Sequence, residues 1–174
     1  MGPQRSKQEV PTEAGAPDGF GVAVVREDGR WRCTALRARA LSSLTAAETE
    51  LCELRSAGAV FGLLDIDDEF FIVMRPAPGG TRMLLSDATA ALDYDIASEA
   101  LDNLDAEIDD DDLEDSDPFA EGDLAVLSDL GLHEDVLSAI LAETDLYADE
   151  QITSIAREMG FADELSAVLD KLSR

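Results

Sequence analysis

Residues 59–86 read AVFGLLDIDDEFFIVMRPAPGGTRMLLS, three apolar bursts parted by two short polar breaks. Val, Ile and Phe crowd the bursts, and Asp67-Asp68-Glu69 and Pro78-Gly79-Gly80 supply turn chemistry between them. Connections this short join antiparallel neighbours, so the pattern predicts a meander. The bursts are apolar at nearly every position rather than at alternate ones. A strand with one wet face alternates; one that does not is covered on both faces. The chain must therefore cover its sheet twice, with its own helices or with a second subunit.

The flanks supply the rest of that sheet and its covers. In GFGVAVVREDGRWRCTALR, Asp28-Gly29 offers a two-residue turn with positive φ, which predicts a hairpin. Trp31 and Cys33 alternate with Arg30 and Arg32, so one face of the second strand is expected to be buried. In SSLTAAETELCELRSAG, Leu44, Ala47, Leu51 and Leu54 fall at helical spacing and Gly58 follows as a stop. After the third burst, Leu92, Ile96, Leu101, Leu104 and Ile108 predict a second helix. Ser86 and Asp87 stand where N-caps belong, with Asp95 as a second cap if Tyr94 divides the helix.

The C-terminal third is helical. LGLHEDVLSAILAE and MGFADELSAVLDKL share a Gly-apolar pair, then acids, then an apolar stripe. Between them Ile152, Ile155 and Met159 keep helical spacing, with Asp149 near one start and Gly160 at its end. The fold class predicted is α+β: an antiparallel sheet of about five strands with two helices, an acidic linker, and a small three-helix lobe. The boundaries expected are a disordered tail over 1–18, a sheet domain over 19–104, the linker over 105–121 and the lobe over 122–174. A lobe that small is near the limit for folding alone and is expected to dock on something.

Charge narrows the function. The formal net charge is −26, and from Met83 to Ala156 there are twenty-three acids with no Lys or Arg. A phosphate-neutralising protein needs clustered bases, so direct DNA binding is not expected. A basic protein partner is. Between Asp105 and Asp123, eleven of nineteen residues are acidic. Asp109, Asp110, Asp111, Asp112, Glu114 and Asp115 are the candidate docking residues. The bases gather instead at Arg26, Arg30, Arg32, Arg37 and Arg39. Arg30, Trp31, Arg32 and Arg37 are the candidates should the hairpin touch RNA.

Little else suggests chemistry. The lone histidine, His133, sits at a helix start, and Cys33 and Cys52 form no metal-ligand spacing. No EF-hand, Walker or dinucleotide pattern is present, and no cofactor or metal is expected. A small acid- or metal-dependent hydrolase using Asp65, Asp67, Asp87 or Asp93 is the catalytic alternative. Asp93 and Asp95 are two apart, which on one helix points them to different faces. Asp87 reads better as a cap. Two isolated cysteines and no run of membrane-span length predict a cytoplasmic protein, with room for a homo-oligomer.

The blocks DEFFIVMRPAPGGTRMLLSDATAALDYDIASEALD and GDLAVLSDLGLHEDVLSAILAETDLYADEQITSIAREMGFADEL resemble the actinobacterial tRNA adenosine deaminase-associated protein family. The resemblance spans about Gly19 to Leu172 and brings no catalytic residues with it. It implies a non-enzymatic accessory protein whose basic partner is a tRNA adenosine deaminase. The chain does not resemble the deaminase itself, whose zinc site needs H-x-E and P-C-x-x-C. Here Glu134 and Asp135 follow His133, and the cysteines stand alone.

Overall fold

A computed structural model describes residues 18–54 and 58–172. The tail expected over 1–18 lies, but for Asp18, outside the described residues. Six strands form one antiparallel sheet in the order β2-β1-β3-β4-β5-β6. They are β1 (Gly19–Glu27), β2 (Arg30–Ala35), β3 (Ala59–Ile66), β4 (Phe70–Arg75), β5 (Arg82–Leu85) and β6 (Glu121–Gly122). The hairpin and the meander lie where the sequence predicts them. Asp28 and Gly29 turn β1 into β2 with φ of 54° and 75°. Asp67 and Asp68, at 53° and 60°, turn β3 into β4. Short Asp side chains tolerate this left-handed region better than most.

Helices cover both faces. On one lie α1 (Leu44–Glu53) and α2 (Asp95–Asn103), packed on Leu64, Ile66, Phe70, Ile72 and Met74. On the other lie α4 (Glu134–Leu141), α5 (Ala148–Met159) and α6 (Ala162–Leu172), packed on Phe61, Leu63, Phe71 and Val73. Successive strand residues therefore feed opposite cores, which is why the bursts had no polar alternation. At Gly62 a Cβ would stand 2.9 Å from a Leu51 methyl, so the missing side chain lets α1 lie close on β3. Gly160 ends α5 in the left-handed region, φ 101°.

Two expected caps are corrected, and the division at Tyr94 that the sequence left open occurs. The pattern after β5 is two segments, a 3-10 turn over Ala88–Leu92 and then α2. Asp87 caps only the first: its Oδ1 accepts from Thr89 N at 2.9 Å and Thr89 Oγ1 at 2.6 Å. Tyr94 breaks the run in extended conformation, its ring 5.1 Å from that of Phe70 and its hydroxyl donating to Asp67 Oδ2 at 2.8 Å. Those tertiary contacts outweigh one more helical turn. Asp95 is thus the first residue of α2 rather than its cap. Ser86 is no cap either, because its Oγ accepts from Phe71 N at 2.8 Å inside the sheet.

The acidic run also carries structure. It holds a short helix, α3 (Asp110–Glu114), whose Leu113 is 2% exposed in the α1–α2 core. Ile108 and Phe119 pack against the same core. The run then enters β6, which pairs with Leu84 and Leu85. Gly122 permits that pairing, since a Cβ there would meet Met83 O at 2.5 Å. Beyond it, Arg82 binds Asp123 at 2.7 Å and Arg75 forks onto Asp129 and Val126 O. Two bases thereby fasten the sheet to the chain that leads into α4.

Candidate protein-docking surfaces

The six docking candidates lie together. Asp109 to Asp112, Glu114 and Asp115 are all exposed, while Leu113 among them is buried. Asp110, Asp111 and Asp112 occupy the first turn of α3, where carboxylates suit the positive end of the helix dipole. Among the described residues, none of the six pairs with a Lys or Arg. The run is therefore a row of unneutralised carboxylates held by one buried leucine.

The Arg-rich hairpin lies at the opposite edge of the sheet. Arg30, Arg32 and Arg37 are exposed. Trp31 is apart from them: its ring packs 5.2 Å from Phe161 and 6.5 Å from Phe61, with the Arg26 guanidinium 4.7 Å over it. The indole thus docks α6 onto β2, and of the four RNA candidates only the three arginines face outward. Edge arginines also discourage strand addition to β2.

The hydrolase candidates fall in two places. Asp87 is a cap, and Asp93 is exposed at the end of its 3-10 turn. Asp65 and Asp67 belong to a carboxylate knot at the β3–β4 turn. Asp65 is 2% exposed, and its Oδ1 accepts from Asp68 N at 2.8 Å. Burial lifts its carboxyl to about 7, and the nearby charges of Asp68, Asp149 and Asp67 add to that against the Asp68 N–H bond. Asp68 Oδ1 in turn accepts from Asp149 N at 2.9 Å, and its carbonyl from Ala148 N at 3.3 Å, capping α5. Burial, then the Asp68 carboxylate, raises Asp149 as well. Each named contact of Asp65 and Asp68 is internal and structural. Among the described residues no three His, Cys, Asp or Glu side chains are placed to hold a metal ion.

Of the remaining reactive groups, His133 and Cys33 are engaged in the fold and Cys52 lies at the surface. His133 is the N-cap of α4, its Nδ1 accepting from Asp135 N at 3.2 Å. Burial, with the Glu164 charge, pushes the Cys33 thiol up to about 12; Cys52 is exposed. The sequence reading put Asp68 in a turn and Asp149 near a helix start, but their contact escaped it. Their contact joins residues 81 apart, and the one local sign was the Asp67-Asp68 turn itself.

A family model described as Rv3753c-like tRNA adenosine deaminase-associated protein matches residues 19–162. The chain is 73% identical over 174 residues to Protein Rv3753c of Mycobacterium tuberculosis (strain ATCC 25618 / H37Rv), covering 100% of each. No solved structure matches.

Proposed function

We propose that this chain, which belongs to the tRNA adenosine deaminase-associated protein family, is a non-enzymatic accessory protein that binds a basic partner through its acidic run. The family's description, tRNA adenosine deaminase-associated, supports such a deaminase as that partner. An enzyme that handles tRNA must present positive surface to phosphate. One observation carries the reading. The run from Asp109 to Asp115 is exposed, free of Lys or Arg partners among the described residues, and fixed in place by Leu113. Fixing matters because a row of charges held still loses less freedom on binding than a loose tether does. The complex is expected to form in the cytoplasm, in keeping with two unbridged cysteines.

The test is a titration of the chain against the deaminase at several salt concentrations. Saturable binding that weakens with salt is expected. Replacing Asp109, Asp110, Asp111 and Asp112 by Asn removes four charges worth a few tenths of a kcal/mol each, which weakens binding about tenfold. It also flattens the salt dependence. The fold should hold, because Leu113 stays and local repulsion falls. No saturable binding by the unmodified chain at low salt defeats the proposal. Unchanged binding by the Asn variant moves the docking surface elsewhere.

A further inference from the structure

A cleft of about 350 Å³ opens beside the carboxylate knot. Its wall is built by the β3–β4 turn, the end of β5, the chain entering β6 and the α4–α5 connection. Four carboxylates line it, those of Asp68, Glu69, Asp87 and Asp145, and no Lys, Arg or His does. The apolar part of the lining includes Phe119 and Tyr147, the latter 66% exposed.

The decisive group is Gln151. It lines the cleft yet is only 8% exposed. Its Nε2 donates to Ile140 O and Glu143 O, each at 3.2 Å, so the amide nitrogen faces the end of α4. Nothing among the described residues donates to its Oε1. That oxygen is not sealed in either, since among the described residues the one enclosed side-chain atom without a partner is Glu50 Oε2. An amide oxygen with no donor among the described residues, on a side chain only 8% exposed that lines an open cleft, is available to a donor from outside.

We propose that this cleft receives the side chain of an arginine carried by a basic protein partner. Every charged group lining the cleft is an acceptor, and the hydroxyls of Ser86, Thr144 and Tyr147 can accept too, which suits a side chain with five donors and no acceptor. The carboxylates do not converge as a metal site does among the described residues, so a spread donor fits them better than a point ion. The guanidinium is planar and weakly hydrated, so it can stack on Tyr147 or Phe119 while its edges reach Oε1 and the carboxylates. Lysine offers three donors around a strongly hydrated point and no flat face. This site takes Pro118 to Ala120 from the end of the acidic run but none of its six docking candidates, and it does not depend on which protein brings the arginine.

The experiment uses the full chain at low salt, followed by amide NMR during titration with acetyl-Gly-Arg-Gly-amide. Matching peptides carry lysine or citrulline, which keeps the shape of arginine without its charge. Saturable shifts are expected at the Gln151 side-chain amide and at Leu146 and Tyr147. Citrulline should bind about tenfold more weakly, having lost the charge-assisted bonds. Tyr147→Ser and Asp145→Asn, both at exposed positions, should each weaken binding several-fold without unfolding the chain. Equal shifts from the lysine peptide, shifts centred on residues 109–115, or indifference to both variants would overturn the proposal. So would self-association through the cleft that the arginine peptide cannot displace. If the Asn variant loses the deaminase while cleft variants keep it, the cleft fails as a partner site and the accessory reading stands. If the peptide binds but the deaminase does not, the reverse holds.

Discussion

Asp65→Asn tests whether a buried charge is held in this fold at a cost. Asp65 stands on β3 at the sheet end of α5, 2% exposed, with Asp67, Asp68 and Asp149 around it. Its carboxyl is ordinary in the unfolded chain, 3.8, and is lifted to about 7 by burial first and by those acids second. Between these values the unfolded chain has released the proton and the folded one has kept it. The unfolded state therefore binds fewer protons, and stability falls as pH rises through this window. Its full contribution is present below pH 4 and gone above pH 7. The gap corresponds to roughly 4 kcal/mol, taking 1.36 kcal/mol per pH unit. Asn keeps an acceptor for the Asp68 N–H but must bury an amide, which costs about 1–3 kcal/mol at every pH. The quantity to read is thus the change in the difference between the two proteins. Urea unfolding, followed by fluorescence of Trp31 in its contact with Phe61 and Phe161, reports it directly. From pH 4 to pH 8 the midpoint of the variant should gain on that of the parent by about 2 M, for a slope near 2 kcal/mol/M. A difference that stays flat across that range refutes the reasoning, whatever its sign.

Arg75→Ala removes the fork onto Asp129 and the bond to Val126 O, all at the joint between the sheet and the chain leading to α4. A loss of about 1–2 kcal/mol in urea unfolding is expected, more than a single exposed pair provides, because a carbonyl also loses its donor. A loss below about 0.3 kcal/mol would show the fork to be ornamental. In the folded protein iodoacetamide should modify exposed Cys52 well before Cys33, whose thiol burial holds at about 12, as peptide mapping will show. Equal rates would mean that α6 opens readily from β2.

What the sequence made legible was local. The Asp28-Gly29 hairpin, the meander and the three C-terminal helices each carry their own signal within about a dozen residues, through turn chemistry or apolar period. The double cover followed from bursts without polar alternation. What stayed hidden depends on distant neighbours. β6 is two residues, Glu121 and Gly122, with no strand pattern of their own; they pair because β5 leaves an edge open and glycine can approach it. The division at Tyr94, left open by the sequence, is set by Phe70 and Asp67, more than twenty residues upstream. Asp68 accepts from two N–H groups in the first turn of α5, and the open acceptor of Gln151 is visible only once α4 has claimed its nitrogen. Trp31 was legible as half-buried from its alternation with Arg30 and Arg32, which also bears on the RNA reading, since a ring held by Phe61 and Phe161 is not free to stack on a base.

The net charge of −26 is therefore a poor guide to what a partner meets. The basic edge is β2 and the acidic run enters at β6, with four strands between them. Five inter-strand steps of about 4.8 Å put the two edges roughly 24 Å apart. At physiological salt the screening length is about 8 Å, so each edge lies some three lengths from the other. At that range charges on β2 and the carboxylates beside β6, those of Glu121 and Asp123, are largely screened from one another. Closer bases, Arg75 and Arg82, are already bound to Asp129 and Asp123. A basic surface arriving at the acidic edge thus meets its full local charge. Substitutions at the two edges, sharing no partner and separated by more than about 10 Å, should act additively on binding.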